Sequence, residues 1–437
     1  MLKKFITCFL IFVLTCVCFG CSGGSGEQKI ACCDLVFQYE NDQIIASVTY
    51  SNFSHLVKNN GLFLNLYPNK QNQKSGRITP LTALLNEKEI DFELLGDYNE
   101  YMFLSGDFKN DDRLQINFQT VVEEGNGRLS KNGDIVNLAY FYPQLCAVFN
   151  GEVAKYPFIS FGDPFFDVWC DYNISLTLPS VMAVACGANP LSVEVNGDKT
   201  TYNYTLKKAK TFALNLSSNY MVASKKWGYK RVNYYYYSDN APEERLESII
   251  CYLDYFTNKI GEYAFDVFSV AQSDYYVGGM EYPAFCVVDG KLLNEDFNYC
   301  ILHEVAHQWF GIGVDFNQFQ NAWIDEGLAE CLSMIYLKEN DPKNYNQRLL
   351  YTKSLINAFE RAVGEGKISA SGNIFRSLDK FNGEYEYFLC VYKKSALYFL
   401  QRYEELGDKR FFKMLSKIYG DYRGKDMEKS SFTKYFN

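Results

Sequence analysis

The pattern of hydrophobic and polar residues differs between the two halves of the chain. Residues 44–50, 113–121 and 172–178 alternate with a partial period of two and are rich in β-branched and aromatic side chains. Such alternation is typical of strands with one buried face. An Asn196-Gly197 pair between two such runs predicts a hairpin turn. Because no long amphipathic helical pattern interrupts this half, residues 31–224 are predicted to form an all-β sandwich or saddle-shaped sheet.

The spacing changes after Tyr237. Pro242, followed by two glutamates, makes a favourable first helical turn, and apolar residues then recur at helical spacing until Gly261. Residues 265–288 read as mostly extended, and further helices are predicted at 297–310, 322–339, 348–362, 385–405 and 409–419. The expected fold class is therefore α+β, with a β-rich N-terminal domain followed by a mainly helical domain over residues 225–437.

The first thirty residues have the pattern of a targeting segment. Lys3 and Lys4 precede the apolar run from Phe5 to Phe19, which is shorter than the ~20 residues that span a bilayer. With Cys21 after a glycine and before a Gly/Ser stretch, the segment resembles a bacterial lipoprotein signal. That resemblance implies removal of residues 1–20, lipidation of Cys21 and a flexible tether over residues 21–30. The alternative is an ordinary secreted protein that is cleaved nearby.

Composition narrows the classes of partner. The net charge is −9, and it becomes −11 when Lys3 and Lys4 are removed with the signal. Since nucleic-acid binding needs clustered basic residues, a nucleic-acid partner is not expected. The ten cysteines beyond Cys21 contain no CxxC pair, so zinc held by cysteine is not supported and disulfide pairing stays open.

The histidines carry the first chemical signal. Only three are present, and two of them, His303 and His307, flank Glu304 in a His-Glu-x-x-His segment. The spacing of four places both imidazoles on one helix face, where they can bind a single zinc ion. Glu326 follows on the next predicted helix and completes a set of two histidines and one glutamate. His55 lies in no motif and is assigned no role.

Around these residues the chain resembles the gluzincin zinc aminopeptidases, the family of membrane alanyl aminopeptidases and leukotriene hydrolases. Three motifs carry the resemblance besides the His-Glu-x-x-His helix: a Trp-x-x-Glu-Gly match at residues 323–327, a Gly-x-Met-Glu match at residues 278–281, and a tyrosine followed by a Val-Tyr-x-Lys run at residues 387 and 391–394. The resemblance implies a thermolysin-like catalytic domain that binds one zinc ion per chain.

The family also implies a role for each matched residue. Glu304 is the expected base, Tyr387 the donor to the oxyanion, and Glu281 the partner of the substrate's α-amino group. Gly278, Gly279 and Met280 are expected to bind the substrate beside an extended segment. The chemistry of the residues alone does not choose Tyr387 over Tyr385 or Tyr392; the register of the family does.

The sequence departs from the family at several positions. Tyr282 stands where many members have asparagine, and Ser395 replaces the glycine of the Lys-Gly run. Ser333 occupies the place of an acid that often supports the zinc site, so Glu330 is the alternative support. The larger members carry a C-terminal helical domain for which this chain leaves no room, and a more open cleft is expected.

These observations predict a zinc aminopeptidase that acts on peptides with a free N-terminus. The expected location is the outer face of a bacterial membrane, held there by a lipid anchor, with secretion as the alternative. Two other functions stay open: a zinc endopeptidase, and a non-catalytic surface lipoprotein that retains the fold. The sequence predicts neither the preferred first residue of the substrate nor the oligomeric state.

Overall fold

The computed structural model describes residues 30–70 and 76–436, so the predicted signal, Cys21 and most of the tether lie outside the described residues. The first domain consists of strands in three main sheets. These strands are β1 (Ala31–Glu40), β2 (Gln43–Ser51), β3 (Gly61–Asn65), β4 (Arg77–Leu85), β5 (Lys88–Ile90), β6 (Glu93–Leu95), β7 (Tyr101–Ser105), β8 (Leu114–Val121), β9 (Leu129–Asn132), β10 (Ile135–Leu138), β11 (Gln144–Leu145), β12 (Val148–Phe149), β13 (Glu152–Val153), β14 (Cys170–Pro179), β15 (Ala183–Cys186), β16 (Pro190–Asn196), β17 (Lys199–Ala209) and β18 (Leu214–Ser217).

The largest sheet has eight strands in the order β16-β17-β14-β1-β2-β8-β4-β5. Two four-stranded sheets, β15-β18-β10-β9 and β11-β3-β7-β6, complete the domain. Side chains along β14 alternate between buried and half-buried, as the period of two predicted. The predicted hairpin joins β16 to β17, with Asn196 opposite Lys199 and Gly197 at a positive φ of 65°. The β-rich first domain is thereby confirmed.

The second domain adds a sheet and eight α-helices in the described part of the chain. Its strands are β19 (Met221–Trp227), β20 (Lys230–Tyr236), β21 (Val267–Ser273), β22 (Gly279–Tyr282), β23 (Phe285–Asp289), β24 (Val314–Asp315) and β25 (Lys425–Asp426). Its helices are α1 (Pro242–Lys259), α2 (Asn294–His307), α3 (Gln318–Asn340), α4 (Pro342–Gly364), α5 (Glu384–Tyr387), α6 (Ser395–Leu406), α7 (Asp408–Tyr422) and α8 (Lys429–Phe436), with a π-helix at Phe388–Lys394 between α5 and α6.

The sheet of the second domain places one strand at its edge. Its order is β19-β20-β21-β23-β22, and β22 pairs antiparallel with β23 only. An edge strand keeps one row of backbone groups free for another extended chain. The predicted domain boundary at residues 224 and 225 falls inside β19, which pairs with β20 and so belongs to this sheet.

Three helices differ from their predicted limits for local reasons. Helix α4 begins six residues early, at Pro342, where the Asp341 side chain caps it by accepting from the backbone N–H of Asn344. Helix α2 ends at His307, three residues early. The backbone N–H of Gln308 bonds to the carbonyl of Val305 instead of continuing the helical pattern, and Gly311 takes a φ of 116°. Helix α3 begins four residues early, because the Asn317 side chain caps it by accepting from the backbone N–H of Gln320; a kink follows at Asn321. The predicted helix over residues 385–405 is α5, the π-helix and α6 in succession.

The two domains share one continuous apolar core. Trp309 and Trp323 are both fully buried in the second domain, and the indole of Trp323 stacks on Phe399. A buried charge cluster ties the domains together, since Lys210 of the first domain binds Asp315 and Asp426 of the second. Within the described residues, none of the helices combines the length and the apolarity that crossing a membrane requires.

Candidate metal centre and active site

The three predicted metal ligands meet between α2 and α3. The Nε2 atoms of His303 and His307 are 3.0 Å apart, and Glu326 Oε2 lies 3.1 Å from the first and 3.3 Å from the second. A tetrahedral zinc ion at ~2.0–2.1 Å from each donor needs donor atoms about 3.3 Å apart. All three side chains are buried. The donor set therefore fits zinc both in chemistry and in spacing.

The second nitrogen of each imidazole faces a carboxylate. Asp325 Oδ1 lies 2.8 Å from His307 Nδ1, and Glu330 Oε2 lies 3.3 Å from His303 Nδ1. Lys393 in turn pairs with Glu330. Such partners orient a ligating histidine and fix which nitrogen faces the metal. The sequence left open whether Glu330 or Ser333 supports the metal site, and it is Glu330 that lies beside His303 Nδ1.

Ser333 has a different function from the one its position suggested. Its hydroxyl donates to the carbonyl of Ala329 on the same helix at 2.8 Å. Sequence reasoning missed Asp325, which contacts His307, and considered Tyr392 only as a candidate donor to the oxyanion, not as a partner of Glu326. The Tyr392 hydroxyl donates to Glu326 Oε1 at 2.7 Å. The signal for Asp325 was its place directly before the glutamate ligand.

Gly311 and Gly327 allow the side chains around the centre to pack closely, because any larger residue at either position would overlap a neighbouring side chain. A Cβ at Gly311 would lie 2.3 Å from Asp325 Oδ1 and 3.0 Å from His307 Nδ1. A Cβ at Gly327 would lie 2.5 Å from the Cβ of Ser395, so helices α3 and α6 approach closely only because this position is glycine. The small Ser395 fits there, and its hydroxyl donates to the carbonyl of Cys390 at 2.9 Å.

The ligands perturb one another's pKa values. Burial alone would lower the pKa of His303, but its hydrogen bonds to Glu326 and Glu330 outweigh burial and raise it to about 9. Burial would raise the pKa of Glu326, and the two imidazoles outweigh it so that the pKa falls well below its usual range. The carboxylate of Glu326 is thus held ionised, which is the form that binds a cation.

Glu304 is held beside the ligands with one oxygen unused. Its Oε2 atom is buried and has no hydrogen-bond partner among the described residues. Burial, reinforced by the carboxylate of Glu326, raises its pKa to about 7 against the opposing effect of the imidazoles. A general base works best with a pKa near the working pH. Gly279 lies directly over this carboxylate, because a Cβ there would be 2.3 Å from Glu304 Oε1.

The edge strand β22 brings Glu281 into the same cluster. Glu281, His307 and Asp325 each offer a donor atom within 4.8 Å of the others. The carboxyl group of Glu281 is buried, and burial together with the nearby acids raises its pKa although His307 opposes the shift. Gly278, at a φ of 92°, leads into this strand with open space around its Cα. The sequence-predicted glycines and Glu281 therefore line one side of the centre.

The structure separates the three candidate tyrosines. Tyr385 is 60% exposed, whereas Tyr387 and Tyr392 both face the centre. Tyr392 already binds Glu326. The hydroxyl of Tyr387 is buried without a hydrogen-bond partner among the described residues, and burial raises its pKa, which keeps it a proton donor. The geometry thus leaves Tyr387 available for a ligand.

The opposite wall of the centre comes from the first domain, and sequence reasoning missed it entirely. The guanidinium of Arg128 forms a buried ion pair with Asp163 and lies 3.3 Å from the sulfur of Met280. Gly162 packs on Tyr387, since a Cβ there would lie 2.7 Å from the tyrosine hydroxyl. No sequence motif marks Arg128, Gly162 or Asp163, because their contacts with Met280 and Tyr387 depend on how the two domains pack together.

Residues 243–437, somewhat less than half of the chain, match the peptidase family M1 domain. Among curated proteins, leucine aminopeptidase 2 of Aspergillus fumigatus is 23% identical over 158 residues, which is 36% of this chain and 25% of that protein. Aminopeptidase N of Haemonchus contortus is 27% identical over 122 residues, 25% of this chain and 12% of that protein. The chain thus matches a quarter or less of the length of these relatives.

Solved structures share the fold over nearly the whole chain. A mutant of a two-domain M1 zinc metallopeptidase, bound to L-arginine, has a TM-score of 0.65 at 13% identity and covers 93% of this chain and 90% of its own. A mutant of the M1 zinc metallopeptidase from Deinococcus radiodurans, bound to a Tyr-Ser-Ala substrate, has a TM-score of 0.64 at 12% identity, with coverages of 93% and 90%. At such low identity the likeness concerns the fold.

Proposed function

We propose that this protein is a zinc aminopeptidase that removes the first residue from peptides. One observation carries the proposal: a buried carboxyl group, Glu281, lies on an edge strand within 4.8 Å of the donor atom of His307. A peptide laid along the edge strand β22 would have its free amino group next to this carboxylate. Only the peptide bond after the first residue then reaches the centre.

Three side chains would hold the metal, namely His303, His307 and Glu326. Bound there, zinc supplies Lewis acidity that polarises the scissile carbonyl and makes a water molecule more acidic. Glu304 takes the proton of the attacking water with its unpartnered oxygen and later gives it to the leaving amine. Tyr387 donates its free hydroxyl to the oxyanion that forms at the carbonyl carbon.

The charges around Glu281 explain why this carboxylate would bind the free α-amino group of a peptide in preference to an acetylated N-terminus. The pKa of this carboxyl is raised by burial and by nearby acids, so the ionised form needs a cation for stability. An α-ammonium group supplies that cation, and an acetylated N-terminus does not. The same pairing fixes the position of the substrate relative to Glu304, which is why the amine controls turnover as well as affinity.

The activity test compares a peptide bearing a free N-terminus with its acetylated twin. The purified, zinc-loaded protein is expected to release the first residue of the free peptide and to leave the acetylated one intact. The Glu304→Ala variant serves as control for contaminating peptidases. Cleavage of both peptides would show an endopeptidase, and cleavage of neither would leave a binding protein that retains the fold.

We also propose that the protein is exported and held at the outer face of the membrane by a lipid on Cys21. The support is the sequence alone: a basic start, a fifteen-residue apolar run and a cysteine after glycine. Expression of the full chain in a bacterium with metabolic labelling by a radioactive fatty acid tests this. Labelling that disappears in the Cys21→Ser variant is expected, and an unlabelled protein in the medium would establish secretion.

A further inference from the structure

A cavity of about 150 Å³ opens beside the centre between the two domains. We call it the cationic pocket; its lining includes Tyr67, Lys70, Arg128, Gly162, Phe165 and Tyr276. Two of these residues are cations, and three are aromatic. The site described so far uses neither Lys70 nor the free volume of this cavity.

The pocket adjoins the place where a substrate would sit. Gly162, on its wall, packs against the hydroxyl of Tyr387. Arg128, also on its wall, contacts the sulfur of Met280 at 3.3 Å, and Met280 directly precedes Glu281. A peptide whose amino group lies at Glu281 and whose carbonyl lies near Tyr387 therefore has its first side chain beside this pocket.

Lys70 is a buried cation that forms no ion pair with a carboxylate among the described residues. Its ammonium group donates to the carbonyl of Tyr156 at 3.2 Å and to Asn65 Oδ1 at 3.4 Å, and it lies over the rings of Tyr67 and Tyr101 at 4.7 and 4.5 Å. None of the ion pairs in the described part of the chain includes it. Burial lowers its pKa to about 8, so a carboxylate entering the pocket would stabilise its charged form.

Arg128 leaves part of its hydrogen-bonding capacity unused. One of its amino groups binds Asp163, and the other donates to the hydroxyl of Tyr276 at 3.2 Å. Its Nε–H is buried without a partner among the described residues. The lining of the pocket thus has two cations and no carboxylate, although Asp163 pairs with Arg128 and the charges of Glu100 and Asp167 act on Lys70. Arg128 also has one orphaned donor for a ligand.

We propose that the cationic pocket receives the side chain of the substrate's first residue and selects an acidic one, glutamate or aspartate. This inference rests on the proposed function, since it takes the amine site at Glu281 as given. The carboxylate of the first residue would be bound by Lys70 and by the free donor of Arg128, while its methylene groups lie on Phe165 and Tyr67. An arginine or lysine side chain would meet like charge in a desolvated space.

The kinetic test compares anilides of glutamate and glutamine, which have nearly the same shape. The wild-type protein is expected to hydrolyse the glutamyl substrate with a kcat/KM higher by about tenfold or more, as a charge-assisted hydrogen bond supports. The Lys70→Met variant should bring this ratio close to one, and the Lys70→Arg variant should largely retain it. A preference for glutamine, arginine or lysine over glutamate would overturn the proposal.

Lys230 provides a matched control within the same chain. It is also buried, its ammonium group donates to the carbonyls of Tyr263 and Phe265 at 3.1 and 2.9 Å, and it lies over aromatic rings. It does not line the cationic pocket. Lys230→Met therefore removes a buried ammonium, which unlike that of Lys70 also lies 3.8 Å from Glu262 Oε1, and should leave the ratio of glutamyl to glutaminyl hydrolysis at the wild-type value.

A binding measurement separates this proposal from the proposed function. Calorimetric titration of the zinc-loaded Glu304→Gln variant with L-glutamate and L-glutamine needs no turnover. Tighter binding of glutamate, lost on adding Lys70→Met, supports the pocket even if the wild-type protein cleaves no peptide. Equal affinity for the two amino acids, in a protein that does cleave peptides, would overturn the pocket and leave the aminopeptidase standing.

Discussion

The two walls of the cleft are built in different ways. The wall from the second domain carries its chemistry in short motifs, at residues 278–281, 303–307 and 323–327. The wall from the first domain brings Arg128 and Asp163 together from separate loops, thirty-five residues apart. The second-domain wall has the residues expected for peptide hydrolysis. The first-domain wall has the residues that would contact the substrate's first side chain.

This difference suggests a division of function between the walls. Residues on α2 and α3 are fixed by helix geometry, and any change among them should abolish chemistry. The positions of Arg128, Gly162 and Asp163 depend on the docking of two domains, so changes there should alter selectivity or the placement of Tyr387 while zinc binding persists. The predictions below test whether the two walls can be separated in this way.

The largest effect is expected at the second-domain wall. Glu304→Gln keeps the shape of the side chain and removes its ability to take a proton. The rate constant kcat should fall by about 10³-fold or more, at the upper end of general-base effects, while zinc content measured by atomic emission stays at one ion per chain. Loss of zinc in this variant would show that Glu304 supports the metal site instead of acting on the water.

The next effect distinguishes two tyrosines of the same wall. Tyr387→Phe should lower kcat by about 10²- to 10³-fold without changing zinc affinity, since its hydroxyl binds no ligand of the metal. Tyr392→Phe removes the hydrogen bond to Glu326 and should weaken zinc binding by about 10- to 100-fold, with kcat largely restored at saturating zinc. If Tyr392→Phe instead gave the larger loss of kcat at saturating zinc, the two assignments would be exchanged.

Much of the second-domain wall could be predicted because its functional residues lie close together in the sequence, within short motifs. A spacing of four residues on a helix fixes the relative position of His303 and His307 before any tertiary contact is known. Glu326 followed from a motif, and its helix lies where the pattern predicted within four residues. The α+β class likewise followed from a change of period, from two in the first domain to helical spacing in the second.

The rest depends on contacts between residues distant in sequence. Nothing near Arg128 or Asp163 in the chain indicates that they form a buried pair beside Met280. The choice between Glu330 and Ser333 also needed coordinates, since it turned on which side chain faces His303 Nδ1. A π-helix between α5 and α6 escaped the helical pattern because it alters the register by a single residue per turn.

A smaller effect is expected where the first-domain wall touches Tyr387, the proposed donor to the oxyanion. Gly162→Ala places a methyl group 2.7 Å from the Tyr387 hydroxyl and strains a backbone with a φ of 69°. Gly133→Ala has a comparable φ of 57° but meets nothing within 4 Å. Gly133→Ala should lose about 1 to 2 kcal/mol of unfolding free energy, measured by urea titration, and Gly162→Ala should lose more, because its methyl group also overlaps Tyr387 and Leu378.

Only the first of these variants should also lose activity. Displacement of Tyr387 should lower kcat by about tenfold to a hundredfold in Gly162→Ala, whereas Gly133→Ala keeps the wild-type rate. Equal kcat in the two variants would mean that the first-domain wall does not position the tyrosine, and the division between the walls would then be restricted to substrate selectivity.

The smallest effect concerns the pH dependence of stability in the first domain. Burial raises the pKa of Asp167 to about 7, although the Tyr67 hydroxyl donates to it at 2.9 Å. Since the unfolded chain releases this proton near pH 4, the folded state binds more protons between about pH 4 and pH 7. The contribution of Asp167 to stability is therefore complete at the acid end and is lost as pH rises through 7, by at most about 1.4 kcal/mol per pH unit.

Asp167→Asn should remove this slope, because an amide keeps an acceptor for Tyr67 and does not titrate. Urea unfolding at pH 5, 6, 7 and 8 should show the variant gaining stability over the wild type as pH rises. Asp171→Asn, four residues further along the chain in β14 and only partly buried, is the control for the exchange of a carboxylate for an amide. The pH dependence of stability has the opposite sign for Glu326 of the second-domain wall. Its pKa is lowered in the folded state, so its contribution to stability is present near neutrality. A difference in stability between Asp167→Asn and the wild type that stays constant from pH 5 to pH 8 would show that this carboxyl is ionised in the folded protein throughout this range, and the contrast between the walls would then be limited to their geometry.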